Sequence, residues 1–437
     1  MKQSALFAVL PLVLALAGCR STQPLAAMVQ VDVLALVENS QPGDVISVPP
    51  GTYDLPKTLF LENRTLTGPG ATLRVVNPPD AKKYRTGVQL KSGAILRDIA
   101  VTAEGPRCLP TAIASGSTGI QVRHVRLRGG TILLDANAPD VNNLLVEGCD
   151  FHEGGYGILL DAKCTGSDVR IIGNRFLANR SDAIELNFPH KEKGQFIRDV
   201  VISGNLFLET GGNPNSGTSG FGVGVAGGHN IQITGNTFRK CGVQGIHLED
   251  HTENVAISGN TFEECGLGCT TRNWTGGIHI LSGTRNVAVT GNTFTRCRFA
   301  VSGLQGYTLK DIAVVGNTIR DCERGGWFMQ YPRGVFEGNH LLNCQIGLEL
   351  WRSPNWIVSN NQFLNEPPEK GADADAKRTV ALRFHGLRNV VCTGNLLDAD
   401  IAIDHRNKTW SDTKYRLDGN VIVRGKHLRN ETPQTND

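Results

Sequence analysis

Six polar residues fall at matching places in short apolar strings, and their types suit proton transfer. They are Glu185 and Asn187 in AIELNF, His247, Glu249 and Asp250 in GIHLED, and His279 in GIHILS. An imidazole titrates near neutral pH, so His247 or His279 can take a proton from a substrate carbon and later return it. Carboxyl groups beside it can protonate a leaving oxygen or flank a glycosidic bond as acid and base. Glu185, Glu249 and Asp250 together also offer hard oxygen ligands of the kind Ca²⁺ prefers. The catalytic candidates are therefore His247, His279, Glu249, Glu185 and Asp250, with Asn187 as a substrate contact. Lys191, Lys193 and Arg272, on neighbouring loops, would meet negative charge on a substrate. The plainer reading is that these are solvated outward positions of strands, where polar residues are ordinary.

Strand periodicity decides which of these residues share a face. Apolar residues alternate in GILLDA, AIELNF, GVGVAG, GIHLED, GIHILS, GWFMQY and GLELWR, so Ile or Val and the next Leu point inward and their neighbours outward. One outward column then runs Leu159, Glu185, Gly224, His247, His279 and, past an irregular rung, Phe328 and Glu349. Its neighbour runs Asp161, Asn187, Ala226, Glu249, Leu281, Gln330 and Trp351. Gly224 and Ala226 leave a flat gap between acids and imidazoles. Three insertions, Pro189–Ile197, Thr210–Gly220 and Gly266–Gly277, flank these strands, and long loops on a rigid scaffold often carry function. A fourth insertion, NEPPEKGADADAKR, is strongly charged and reads as a solvated flap.

The elements that must position these residues come from an internal repeat. An apolar strand, Gly-Asn, one residue and an apolar residue, often Phe, recur as VRIIGNRF, VVISGNLF, IQITGNTF, VAISGNTF, VAVTGNTF, IAVVGNTI, GVFEGNHL, WIVSNNQF, VVCTGNLL and YRLDGNVI. The repeated asparagines run from Asn174 to Asn420 at spacings of 22 to 34 residues, so the smallest rung has 22. A rung that short cannot bury its apolar side alone and must stack on copies of itself. Stacking sets equivalent residues about 4.8 Å apart. The Asn would adopt left-handed geometry at a corner and bond to the Asn above and below, while the Phe forms an inward stack.

This pattern resembles the pectate-lyase-like superfamily, and that resemblance implies an all-β, right-handed parallel β-helix of roughly 12–15 rungs. A helical pattern from Ala26 to Asn39 would cap its N-terminal end, and PGDVISVPPGTY reads as the opening rung. The resemblance implies carbohydrate work only through the fold. The polygalacturonase patterns and the DPHD motif of mannuronan epimerases are absent, and IDH at Ile403–His405 reads as a chance fragment of a pectate-lyase pattern. Five cysteines, Cys241, Cys265, Cys297, Cys322 and Cys344, each lie five residues after a repeat Asn. They form a column of parallel thiols whose Cβ spacing, about 4.8 Å, exceeds the usual disulfide range. Cys265 and Cys269 remain a candidate local disulfide.

At the N-terminus a short apolar run ends in Leu16-Ala17-Gly18-Cys19, too short to span a bilayer. It resembles a bacterial lipobox, which implies cleavage before Cys19 and its acylation. Arg20 after the cysteine leans toward the outer membrane, with the periplasm as the alternative. The expected organisation is a signal peptide over 1–19, one solenoid domain over 20–425 and a polar tail over 426–437. A net charge of +3 gives no nucleic-acid footprint, and the chain is expected to act as a monomer held to a membrane only by its lipid. The reading favoured is a polysaccharide lyase or epimerase acting on uronate-containing glycans, with no certain cofactor beyond the candidate Ca²⁺. The alternatives are a glycoside hydrolase and a non-catalytic lipoprotein presenting Trp274, Trp327, Trp351 and Trp356 to glycans.

Overall fold

Each Gly-Asn pair turns the chain from one parallel sheet into the next. The computed structural model describes residues 31–136, 140–161, 166–187, 197–211, 220–269, 275–281, 283–304, 310–366, 378–386, 388–406 and 415–430. The glycine, not the asparagine, takes the left-handed conformation: Gly204, Gly235 and Gly259 have φ of 65°, 63° and 62°. This corrects the expected geometry, and its reason is steric, because glycine has no Cβ to clash there. The Asn is thereby left free to point inward and be buried.

Buried there, its amide must find partners. The Asn205 N–H donates to Asn236 Oδ1 at 2.9 Å, and Asn236 N–H donates to Asn260 Oδ1 at 2.9 Å. Each Nδ2 also donates along the stack, as from Asn236 to Asn260 Oδ1 at 3.0 Å and to the Ile202 carbonyl at 2.9 Å. The same backbone bond links every repeat asparagine from Asn174 to Asn420. Two residues on, Phe176, Phe207, Phe238, Phe262 and Phe294, with Phe151 two residues after Cys149, stack with ring centroids 4.6 to 5.0 Å apart.

The result is a right-handed parallel β-helix with three sheets. The first contains fifteen strands. One full rung runs Gly228–Thr234 in the first sheet, Thr237–Arg239 in the second and Gln244–Glu249 in the third. The next repeats it as Glu253–Ser258, Thr261–Glu263 and Gly276–Ile280, in register. The second and third sheets merge at the C-terminal end, where Leu396–Arg406 and Val421–Asn430 run through both. That last strand passes the expected domain boundary at 425 by five residues.

At the N-terminal end the helix is short, Val33–Glu38, burying Val33, Leu34 and Val37. The solenoid lies in one compact unit, Val33–Asp437, and Met1–Asp32 form another, of which only 31 and 32 are described. Cys19 lies outside the described residues. Cys241, Cys265, Cys297, Cys322 and Cys344 are all buried free thiols. Because Cys265 keeps its thiol within that column, the candidate disulfide to Cys269 is not formed. No helix among the described residues is long and apolar enough to cross a membrane.

Candidate functional site

Pleating makes outward residues of a solenoid strand solvent-facing, and two sheets obey. Gln232 on the first sheet and Thr261, Thr293 and Thr318 on the second are exposed. The third sheet departs from this. Its outward column runs Glu185, Gly224, His247, His279, Ser302, Trp327, Glu349, Arg383 and Asp404. Within it His279 is 0% exposed, His247 6% and Glu349 4%. The expectation of a solvated face is therefore corrected, since polar groups here are enclosed and must satisfy one another.

The same register corrects two places in the expected columns. Ser302 fills the rung that looked irregular, Trp327 and not Phe328 occupies the next, and Phe328 points into the core. In the neighbouring column Met329 and not Gln330 precedes Trp351, because Gln330 turns the chain with φ of 55°.

His247 is held on three sides. Its Nδ1 lies 2.6 Å from Gln244 Oε1 and its Nε2 3.3 Å from Glu249 Oε2, and its ring stacks on Phe221 at 4.3 Å and 3°. The amide oxygen can only accept, so Nδ1 carries the proton and the Nε2 lone pair is the basic one. His279 sits 5.9 Å away, tilted by 38°. Its Nδ1 lies 2.7 Å from Ser302 Oγ, and that hydroxyl donates to the Ile278 carbonyl at 3.3 Å, so Nδ1 of His279 is again the protonated nitrogen.

Glu185 occupies the gap that Gly224 leaves. A Cβ at Gly224 would collide with Glu185 Oε2, so the carboxyl lies across that rung toward His247. Beside it is a residue that strand alternation did not single out. Asp182 is buried, hydrogen-bonds to the Glu185 carboxyl, and accepts the Gly220 and Phe221 N–H groups on Oδ1 at 2.5 and 2.7 Å. Burial pushes the Asp182 carboxyl up, and the hydrogen bonds from Glu185 and the two amides only partly offset this. Two carboxyl groups so placed share one proton. The two amides hold the Asp182 carboxyl in place beside Glu185. A signal existed in the sequence: Asp182, Phe221 and Gln244 each stand three residues before the outward column, Phe221 and Gln244 at the start of their strands and Asp182 two residues before its own, and all three turn onto the outer face.

This pair makes stability depend on pH. A carboxyl whose folded pKa is raised costs stability as pH climbs from its unfolded value, 3.8 for Asp, through the folded one. Asp182→Asn keeps an acceptor for both amides and removes the titration. The melting temperature of the wild type is expected to fall relative to this variant as pH rises from about 4 to 7. Parallel curves would mean the pair does not hold an extra proton.

The other candidates are placed less tightly. Asn187 is half-buried and pairs with Ala226, which pairs with Glu249. Asp250 begins the turn after the strand, with φ of 51°. No group of three or more His, Cys, Asp or Glu among the described residues stands close enough to hold a metal. Glu185, Glu249 and Asp250 thus do not gather into a Ca²⁺ site, because Asp250 leaves the strand just where the other two stay on it. Lys191, Lys193, Arg272 and Trp274 lie outside the described residues. Trp356 is fully buried, with Nε1 donating to the Tyr331 carbonyl, and Trp327 is nearly so. Among the described tryptophans only Trp351, 38% exposed, could present part of its ring to a ligand.

A family model described as the right-handed β-helix region matches residues 142–294 and 268–373, together more than half of the chain. No curated protein matches. Among solved structures, the alginate lyase AlyF-OU02 in complex with G6 is similar, at 12% identity and TM-score 0.47, covering 88% of this chain and 84% of that one. The periplasmic alginate epimerase AlgG is similar at 13% identity and TM-score 0.44, covering 75% and 77%. PfbA, a surface adhesin of Streptococcus pneumoniae, is similar at 13% and 0.43, covering 83% and 86%.

Proposed function

We propose that this protein, which belongs to the right-handed β-helix family, cleaves or epimerises uronate-containing polysaccharides on the outer face of its third sheet. The observation that carries this is His247, an imidazole enclosed on that face with the Asp182–Glu185 carboxyl pair beside it. In the lyase form of the reaction, His247 Nε2 takes the proton from C5 of a uronate. The electron pair left behind forms the C4–C5 double bond, the C4–oxygen bond breaks, and Glu185 gives its proton to the departing oxygen. Glu249 stabilises the imidazolium that results, at 3.3 Å from Nε2. Asp182, hydrogen-bonded to the Glu185 carboxyl, holds it in place. His279, fully enclosed, acts as a positioning residue behind His247. An epimerase would use the same base and return the proton to the opposite face of C5.

Hydrolysis is the second reading, favoured by two carboxyl groups near His247, Glu185 two rungs before it and Glu249 two residues along its strand. A panel of uronate and neutral polysaccharides, followed by ultraviolet absorbance of unsaturated product and by reducing ends, separates the two. Absorbance with new ends means elimination; ends alone mean hydrolysis; binding without either leaves a glycan-binding protein and overturns catalysis.

Gly224→Ala tests the gap directly. The methyl group would displace the Glu185 carboxyl, and kcat is expected to drop by about 10²-fold, in the range of general-acid losses. Melting within a few degrees of wild type would separate this from unfolding, and an unchanged rate would remove Glu185 from the mechanism. Export and anchoring belong to the same proposal: Cys19 would carry the lipid, and mass spectrometry of the N-terminal peptide should find it acylated in the wild type and bare in Cys19→Ala.

A further inference from the structure

We propose that a second cluster on the same face, built on Arg324, Glu349, Arg383, His385, Asp404 and Arg406, is a binding subsite for an anionic sugar unit of the polymer that His247 acts on. This rests on the uronate reading above. The outward column carries the register unbroken from His247 through His279, Ser302 and Trp327 to Glu349, then to Arg383 and Asp404. Four rungs separate His247 from Glu349, about 19 Å at the strand spacing. Phe299, Leu304 and Trp327 form an apolar cluster between them, with the Arg324 guanidinium 4.9 Å from the Phe299 ring centroid.

The charges in this cluster are unevenly matched. Glu349 Oε1 lies 2.9 Å from His385 Nε2, and Oε2 faces Arg324 Nε at 3.3 Å. Neither Oε2 nor that Nε makes a hydrogen bond. Burial would raise the Glu349 pKa, but the His385 hydrogen bond and the Arg324 charge outweigh it, so the carboxylate stays ionised. Asp404 Oδ2 accepts from both Arg383 Nε at 2.9 Å and Arg406 Nε at 3.1 Å. Three guanidinium groups thus face two carboxylates, and Arg406 is half-exposed.

Buried ion pairs are poor stabilisers, because apolar residues of similar size usually serve as well. The Asn and Phe ladders already hold these rungs together, so cohesion does not require the charges. A surplus guanidinium at the rim matches a carboxylate, which it can bind through two parallel bonds. The ligand would then lie along the axis of the solenoid, with one unit at His247 and a later one at Arg406.

The test measures dissociation constants by affinity electrophoresis in the slowed His247→Gln background, so that little of the probe is cleaved during the run. The probes are a trisaccharide and an octasaccharide of alginate and of polygalacturonate, with neutral cello-oligosaccharides beside them. The octauronate is expected to bind at least tenfold more tightly than the trimer. Arg406→Gln should bring that ratio close to one, Arg406→Lys should lower it less, and thermal melting checks that each variant is folded. A ratio unchanged in Arg406→Gln and also in Trp351→Ala overturns the subsite while leaving the reading of His247 intact. The subsite is equally overturned if trimer and octamer bind alike from the start, or if neutral oligomers show the same length dependence. If no uronate of either length binds, the proposed function itself fails and the subsite with it.

Discussion

His247→Gln should lower polymer turnover by about 10²- to 10⁴-fold, the usual contribution of a positioned general base. Gln is chosen because it stays polar on an enclosed face, where a truncation would remove the ring that meets Gln244 and Glu249. The loss should fall on kcat, since the imidazole acts on the proton as it leaves and contributes little to holding the sugar. His279→Ala offers the contrast. Its ring is fully enclosed and reaches the reaction only through His247, so its effect should be smaller and should shift the pH profile of kcat. Initial rates on the best polymer of the panel, over a range of pH, read both variants. If His247→Gln keeps full rate in a folded protein, the base lies elsewhere on the face and Glu185 loses its proposed partner.

Much of this molecule was legible because stacking is a local rule applied repeatedly. The Gly-Asn-x-Phe string named the ladder, the aromatic stack and the thiol column by offset alone, and each lies where the offset put it. The site was legible only in part. Alternation placed Glu185, His247, Glu249 and His279 on one face, and the in-register pairing of His247 with His279 follows. It could not reveal that this face is enclosed, because enclosure depends on what packs over a strand and leaves no period in the strand itself. Asp182 escaped for a related reason. It stands two residues before its strand, where the backbone turns, and alternation says nothing reliable about direction there. Asp404 was set aside as part of a chance string; its place beneath Arg383 emerges only when rungs of unequal length are brought into register.

Asn292→Ala should cost about 3–5 kcal/mol, more than most single changes, because it opens the ladder at its centre. The Asn292 Oδ1 accepts both the backbone N–H and the Nδ2 of Asn260, each at 2.9 Å. Its own Nδ2 donates to the Ile257 carbonyl and to Asn317 Oδ1, each at 3.0 Å. Alanine takes this partner from the Asn260 N–H and the Ile257 carbonyl, while Asn260 Nδ2 keeps the Ile233 carbonyl and Asn317 Oδ1 keeps the backbone N–H of residue 292; each orphaned group costs roughly 1–3 kcal/mol before the chain relaxes. Cooperativity in a solenoid passes only between neighbouring rungs. A break at the centre should therefore weaken the coupling of the two halves as well as lower the melting temperature. The single transition of the wild type is expected to broaden or split in calorimetry. Asn420→Ala is the control, since Asn420 ends the ladder, is only half-buried, and has neighbours that water can reach. Its cost should stay near ~1 kcal/mol with no splitting. Equal costs at the two positions would mean that the Asn ladder contributes local bonds only, and that the Phe stack alone carries cohesion from rung to rung.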